Sequence, residues 1–104
     1  MFISSSSASD GTLGRSAYAS TKGAVNSFVK VLARELGTSN IRVNAISPGL
    51  VDTDMANKNT KEEFKKDFIK SLSINRIGKP EEIASTVLSI CSDDNSYLTG
   101  QIIR

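Results

Sequence analysis

From about Ala17 to Leu36 the apolar residues Val25, Phe28, Val29, Leu32 and Leu36 recur at spacings of three and four, the period of a helix, and Gly37 supplies a stop. A few residues later Ile41, Val43 and Ala45 alternate with Arg42 and Asn44 through Ile46, the period of a strand, which Pro48-Gly49 ends. This juxtaposition constrains the fold more than any other feature. A helix joined to a strand by so short a connection is part of a βαβ unit, and Phe2-Ile3 ahead of the helix supplies the other strand. Strands alternating with helices build a parallel sheet with right-handed crossovers.

The remaining segments continue the alternation. Residues 1 to 4 favour extended backbone, whereas Ser4 to Arg15 is rich in serine, glycine, aspartate and threonine and reads as loop. Residues 50 to 59 read as irregular. Thr60 with Glu63 has the form of a capping box, and Phe64, Phe68 and Leu72 repeat every four residues, predicting a short amphipathic helix. Pro80 suits the first position of a further helix that carries Ile83, Val87 and Ile90 to a polar stop at Asp93-Asp94-Asn95, and Gly100 to Arg104 reads as a last strand. The predicted class is α/β, with about three parallel strands and flanking helices in a single domain over 1–104. The first strand would carry an exposed edge.

A chain of 104 residues buries only a modest core, so its stability margin is expected to be thin. Hydrophobic residues at 38% and charged residues at 23% are ordinary for a globular chain. Acids and bases intermix, as in Lys61-Glu62-Glu63, so the net charge of +2 forms no patch of the kind that binds nucleic acid. Met1-Phe2-Ile3 is too short an apolar run for a signal peptide or a spanning helix, which leads to the expectation of a cytoplasmic protein away from membranes. The single cysteine, Cys91, excludes an intrachain disulfide, suits a reducing compartment and is expected to pack in its helix. No metal site is expected.

Tyr18 and Lys22 lie four residues apart near the helix start, so they share a face and the ammonium can reach toward the phenol. A cation at that distance stabilises a phenolate, as acid and base chemistry by a tyrosine near neutral pH requires. Taken alone, the pair reads first as a solvated helix face. Ser5 stands where an apolar strand ends, and in α/β sheets ligands bind at the carboxyl ends of strands. A serine there can hydrogen-bond a substrate carbonyl, although Ser4, Ser6 and Ser7 compete for the part and any of them also serves as a loop residue. Ser47-Pro48-Gly49-Leu50-Val51-Asp52-Thr53 occupies the next strand end, where Pro-Gly alone is an ordinary turn and Thr53 equally a cap for the next segment.

Four stretches taken in order carry a resemblance. They are Tyr18-Ala19-Ser20-Thr21-Lys22 with a serine thirteen residues ahead; Arg42-Val43-Asn44-Ala45-Ile46-Ser47-Pro48-Gly49 with Thr53-Asp54-Met55; Arg76-Ile77-Gly78-Lys79-Pro80-Glu81-Glu82-Ile83-Ala84; and Leu98-Thr99-Gly100-Gln101. Together they resemble the C-terminal part of a short-chain dehydrogenase/reductase, most similar within that family to the 3-oxoacyl-[acyl-carrier-protein] reductase type. The resemblance spans nearly the whole chain, and its spacing selects Ser5 among the serines.

The resemblance implies the catalytic and substrate-side half of a Rossmann-like doubly wound parallel sheet, with NAD or NADP as cofactor. It implies Tyr18 as catalytic acid and base and Ser5 as the residue that orients the carbonyl. Lys22 would hold the nicotinamide ribose beside Tyr18, Val51 (through its backbone) and Thr53 the carboxamide, while Pro48 and Gly49 shape the turn there. The stretch from about Asp52 to Asn75 would form a substrate lid. The implied substrate is a small carbonyl compound or alcohol, acyl thioesters included, and the helix 18–36 would take part in a homo-oligomer interface. The family's Gly-rich fingerprint, its ribose-selecting residue and its relay asparagine all precede the matched part, and no G-x-G-x-x-G occurs in this sequence. The expectation is therefore a partial domain whose N-terminal nucleotide-binding half is missing and which is inactive alone. The alternatives are a non-catalytic module that assembles through the helix, and a remnant without function.

Overall fold

Strands and helices follow one another in the predicted order in a computed structural model that describes residues 1–104. The elements are β1 (Phe2–Ile3), α1 (Ser7–Asp10), α2 (Ser16–Leu36), β2 (Ala45–Ile46), α3 (Asp54–Asn59), α4 (Glu62–Ser71), α5 (Pro80–Cys91) and β3 (Ile102–Ile103). They fall into two compact units, Met1–Gly49 with Thr86–Arg104, and Leu50–Ser85.

The first unit holds a three-stranded parallel sheet in the order β1-β2-β3. Phe2 is in register with Ala45, and Ala45 with Ile102. Hydrogen bonds from Phe2 N–H to the Asn44 carbonyl, from Ser4 N–H to the Ile46 carbonyl and from Ser47 N–H to the Ile103 carbonyl carry the pairing past the assigned strand ends. Val29 and Ala33 of α2 pack on Val43 and Ala45, with Phe2, Val25, Leu32, Leu36 and Ile102 partly buried around them. The alternation that located β2 does not describe its burial, for Ile41 is 49% exposed while every residue from Val43 to Ser47 is buried. A central strand of a parallel sheet is buried on both faces, so side-chain polarity there follows hydrogen-bond partners and not an inside-outside rule. Phe28, expected in the core, is 51% exposed. It lies edge-on to Phe2 at the margin of the core, with ring centroids 5.5 Å apart, and the small Ala33 takes the close position against the sheet.

Two local readings of this unit are corrected. α2 ends at Leu36 as expected, but Gly37 keeps a right-handed conformation and opens a 3₁₀ turn. The left-handed residue is Asn40, at φ 56°, a conformation asparagine tolerates better than most side chains. The serine-rich stretch read as loop contains α1, because the carbonyls of Ser5 and Ser6 accept the N–H groups of Ala8, Ser9 and Asp10, and Gly11 at φ 63° closes the turn.

In the second unit the segment read as irregular contains α3, whose first turn is capped by the Thr53 hydroxyl accepting from Ala56 N–H at 3.2 Å. The capping box at Thr60 and Glu63 does not form. Thr60 ends α3 in an extended conformation, and Lys61 is the residue before α4, which puts Glu63 one place too early to reach back. Phe64 and Phe68 stack at 6.0 Å, yet Phe64 is 46% exposed and the buried side chain of α4 is Lys65. α5 starts at Pro80 as predicted, and Glu82 reaches back to accept the Lys79 N–H at 2.8 Å, which is half of a capping box.

At the other end of α5, Cys91 is exposed and not packed. The inward stripe of that helix runs through Ile83, Val87 and Ile90, so the next residue turns outward. No helix is long and apolar enough to cross a membrane.

Candidate active site

The serine run after β1 is sorted by burial. Ser4, Ser6 and Ser7 are buried, and Ser4 donates to the Lys22 carbonyl at 3.3 Å. Ser5 is half-buried, and its hydroxyl oxygen accepts the Ser7 N–H at 3.3 Å, which leaves its proton for another acceptor. The bland role of a loop serine is thus real, but among its neighbours Ser5 is the one with a face toward solvent.

Tyr18 and Lys22 sit in the first turns of α2. Tyr18 is 45% exposed, and the Lys22 ammonium lies 5.8 Å from its ring centroid. The same ammonium donates to the Ile3 carbonyl at 2.9 Å. Ile3 belongs to β1, the strand at the edge of the three-stranded sheet, and the lysine occupies a carbonyl that the β1–β2 pairing leaves over. The helix and the strand end are therefore tied by the side chain that also faces the phenol. The Thr21 hydroxyl turns back to the Tyr18 carbonyl at 2.7 Å and so stays within the helix.

Pro48 and Gly49 follow β2 in the same unit. Ser6 N–H donates to the Pro48 carbonyl at 2.9 Å, which brings the Pro-Gly turn beside the serine loop. This unit thus gathers Ser5, Tyr18, Lys22 and the Pro-Gly turn around the carboxyl ends of β1 and β2. Val51 and Thr53 stand in the second unit, where Val51 forms a parallel bridge with Gly78, Asp52 N–H donates to the Gly78 carbonyl at 2.9 Å, and Thr53 caps α3.

Several residues that fix this geometry stand in stretches that carry the resemblance but have no role of their own in it. The Arg42 guanidinium donates to the carbonyls of Ile90, Cys91 and Ser92 at 2.7, 3.0 and 3.2 Å, satisfying the C-terminal end of α5. Buried Asn44 donates to the Leu98 carbonyl at 2.8 Å and accepts the Gln101 N–H at 3.0 Å, while Thr99 accepts the Val43 N–H at 3.0 Å. The Arg42-Val43-Asn44 and Leu98-Thr99-Gly100-Gln101 stretches are thus two halves of one brace that seats β3 against β2. The signal that could have found them is polar residues inside an apolar strand, which are hydrogen-bonded when buried.

All of the chain, residues 1–104, matches the family described as enoyl-(acyl carrier protein) reductase. The chain is 43% identical over 93 residues to a 3-oxoacyl-[acyl-carrier-protein] reductase of Chlamydia trachomatis, covering 89% of this chain and 37% of that protein. It is 42% identical over 90 residues to a 7alpha-hydroxysteroid dehydrogenase of Clostridium sardiniense, covering 86% of this chain and 34% of that protein. A solved 7alpha-hydroxysteroid dehydrogenase, complexed with NADH and 7-oxo glycochenodeoxycholic acid, superposes on 97% of this chain and 40% of its own length, with a TM-score of 0.94 and 36% identity. The chain spans little more than a third of the length of these relatives. The order of its motifs, the parallel sheet that carries them and a match over its whole length have one reading: the chain belongs to the short-chain dehydrogenase/reductase family.

Proposed function

We propose that this chain carries the acid and base machinery of an NAD(P)-dependent oxidoreductase that interconverts a small carbonyl compound and its alcohol. The observation that carries the reading is the Lys22 ammonium set 5.8 Å from the Tyr18 ring centroid, at a strand end flanked by half-exposed Ser5. In this reading Tyr18 gives its phenolic proton to the carbonyl oxygen on reduction and takes it back on oxidation. Lys22 stabilises the intervening phenolate by its charge, and Ser5 donates a hydrogen bond to the same oxygen and fixes its direction.

The residues present suit the nicotinamide and its ribose, the end of the dinucleotide away from the Gly-rich fingerprint. Of the three donors on the Lys22 ammonium, one is used on the Ile3 carbonyl, which leaves donors for ribose hydroxyls. Thr53 spends only its oxygen on capping α3, so its proton remains for a carboxamide oxygen, beside the backbone of Val51. Pro48 and Gly49 put a turn without a bulky side chain at Gly49 beside the serine loop. The bound cofactor would supply or accept the hydride.

The relatives' names narrow the substrate class. One is a reductase of a 3-oxoacyl group and another a dehydrogenase of a hydroxysteroid, and what these share is a ketone and secondary-alcohol pair. We take the physiological substrate to be of that class, an acyl thioester included, and the protein to act in the cytoplasm. A second reading, assembly through α2, is favoured by Phe28 and Val31, which leave 51% and 55% of their surface exposed on that helix.

The test is reduction of an acetoacetyl thioester and of a 7-oxo steroid by the purified protein, alone and together with a separately expressed Gly-rich half from the family, followed by the loss of NADH or NADPH absorbance. Tyr18→Phe should lower the rate by about 10²–10⁴-fold, the range of a lost general acid, with cofactor affinity retained. Equal rates for Tyr18→Phe and the unsubstituted protein would refute the role of Tyr18, and no cofactor binding by the unsubstituted protein, either alone or with that half, would refute the reading as a whole.

A further inference from the structure

Lys65 is the one charged side chain that is buried, at 9% exposure, although it sits on α4 among exposed charged neighbours at Glu62, Glu63, Lys66 and Asp67. A lysine on an amphipathic helix ordinarily buries its stem and keeps its ammonium in water. Here the ammonium turns inward, donating to the Asn57 carbonyl oxygen at 2.8 Å and to a Glu62 carboxylate oxygen at 3.0 Å. The Asn57 amide nitrogen in turn donates to Asp52 at 2.9 Å. Asp52 is held from its other side, its N–H bonded to the Gly78 carbonyl next to the Val51–Gly78 bridge.

The direction of these bonds matters. The Asn57 amide has one donor end and one acceptor end, and the ammonium fixes which way it faces, because a lysine can only donate. With the carbonyl turned to Lys65, the amide nitrogen must point to Asp52. The relay runs from α4 through α3 to the strand-like segment that precedes α3, and every member lies in the second unit. Burying a lysine for stability alone is a poor arrangement, since an apolar side chain of similar volume serves a packing site as well or better.

We propose that Lys65 is a positioning residue. Through Asn57 and Asp52 it holds the Val51–Thr53 segment in register against Gly78, and so aims the Val51 backbone and the Thr53 hydroxyl at the nicotinamide carboxamide. This rests on the proposed roles of Val51 and Thr53 in cofactor binding.

Hydrogen exchange and ligand affinity test it separately. In Lys65→Met the Asp52 amide should exchange at least about tenfold faster, the size of effect expected when a local hydrogen bond is lost. Asn57→Ala, a mild change at an exposed site, should do the same, whereas Glu62→Gln, which leaves the relay intact, should not. With a separately expressed Gly-rich half from the family present, affinity for NADH or NADPH should fall in Lys65→Met and Asn57→Ala while affinity for ADP-ribose, which lacks the nicotinamide, holds. A purely structural lysine would not split the two ligands. Unchanged Asp52 exchange in both relay variants, or equal losses for NADH and ADP-ribose, would overturn the proposal. Absence of NADH and NADPH binding by the unsubstituted protein, either alone or with that half, would instead strike the proposed function, and the exchange comparison would still decide the relay.

Discussion

Lys22 has one charge and two neighbours that use it, the Ile3 carbonyl at 2.9 Å and the Tyr18 ring at 5.8 Å. Replacing it with methionine removes the cation from the phenol and also strands a carbonyl at the sheet edge. Lys22→Met should therefore lose the proposed carbonyl reduction and about 1 kcal/mol of stability in urea denaturation, whereas Lys22→Arg, which keeps a donor for Ile3, should recover the stability without recovering that proposed activity in full. Glu82 takes a forked pair of hydrogen bonds from Arg76 at 2.5 and 2.7 Å and the Lys79 N–H at 2.8 Å, and these hold its carboxyl pKa down at about 2 against an ordinary 4.5. A depressed folded-state value means that the stabilisation is complete above the ordinary carboxylate range and is lost as pH falls through about 2. Glu82→Gln should thus be less stable near neutrality and show a flatter melting temperature between pH 4.5 and 2 than the unsubstituted chain. Of the proposed site residues, the tyrosine and lysine stand at a spacing that a helix turns into proximity. Ser5 was readable only by its distance from the tyrosine, because four adjacent serines look alike until burial separates them.

Elements are held in place by groups that periodicity does not register. The Arg42 fork closes the C-terminal end of α5, where carbonyls have no partner within the helix and a cation also meets the helix dipole favourably. Arg42→Ala should cost about 1–2 kcal/mol by urea denaturation, and Arg42→Lys should recover only part of it, since a single ammonium does not span three carbonyls. Gly100 is the other joint. Its φ of 72° lies in the left-handed region, and a Cβ there would sit 3.5 Å from the Ala33 Cβ, so strain and not collision is the obstacle. Gly100→Ala should be destabilising by about 1–2 kcal/mol in the same assay. The long helix, the central strand and the Pro80 helix start were legible because each repeats a period or carries a terminal signal over many residues. α1 and α3 were not, because each is a single turn or two made by local backbone and cap bonds in sequence that also suits a loop. The capping box at Thr60 and Glu63 misled for a related reason: the pattern is correct only if Thr60 is the cap, and the chain uses Lys61.

At the scale of the whole chain the core is small. Six hydrophobic residues are buried, Val29, Ala33, Val43, Ala45, Ile46 and Ile90, and of these only Val29 has a large side chain with no measurable exposure. Burial of branched and small side chains of this kind contributes about 1.5–3 kcal/mol for each large one, against an entropy cost that grows with every ordered residue, so a chain of this length sits near the limit of independent stability. Meanwhile Phe28 and Val31 on α2 and Leu88 on α5 are 51%, 55% and 74% exposed, apolar surface within the first unit. If the assembly reading holds, covering the α2 surface links stability to protein concentration, because mass action stabilises whatever form binds a second copy. The expected outcome is a melting temperature that rises with protein concentration, accompanied by a shift from monomer to dimer in sedimentation. Val31→Glu should abolish both, since a carboxylate at the centre of an apolar contact is costly to bury, yet it should leave the dilute melting temperature unchanged because Val31 is outside the core. A melting temperature independent of concentration in the unsubstituted chain would remove α2 as an assembly surface.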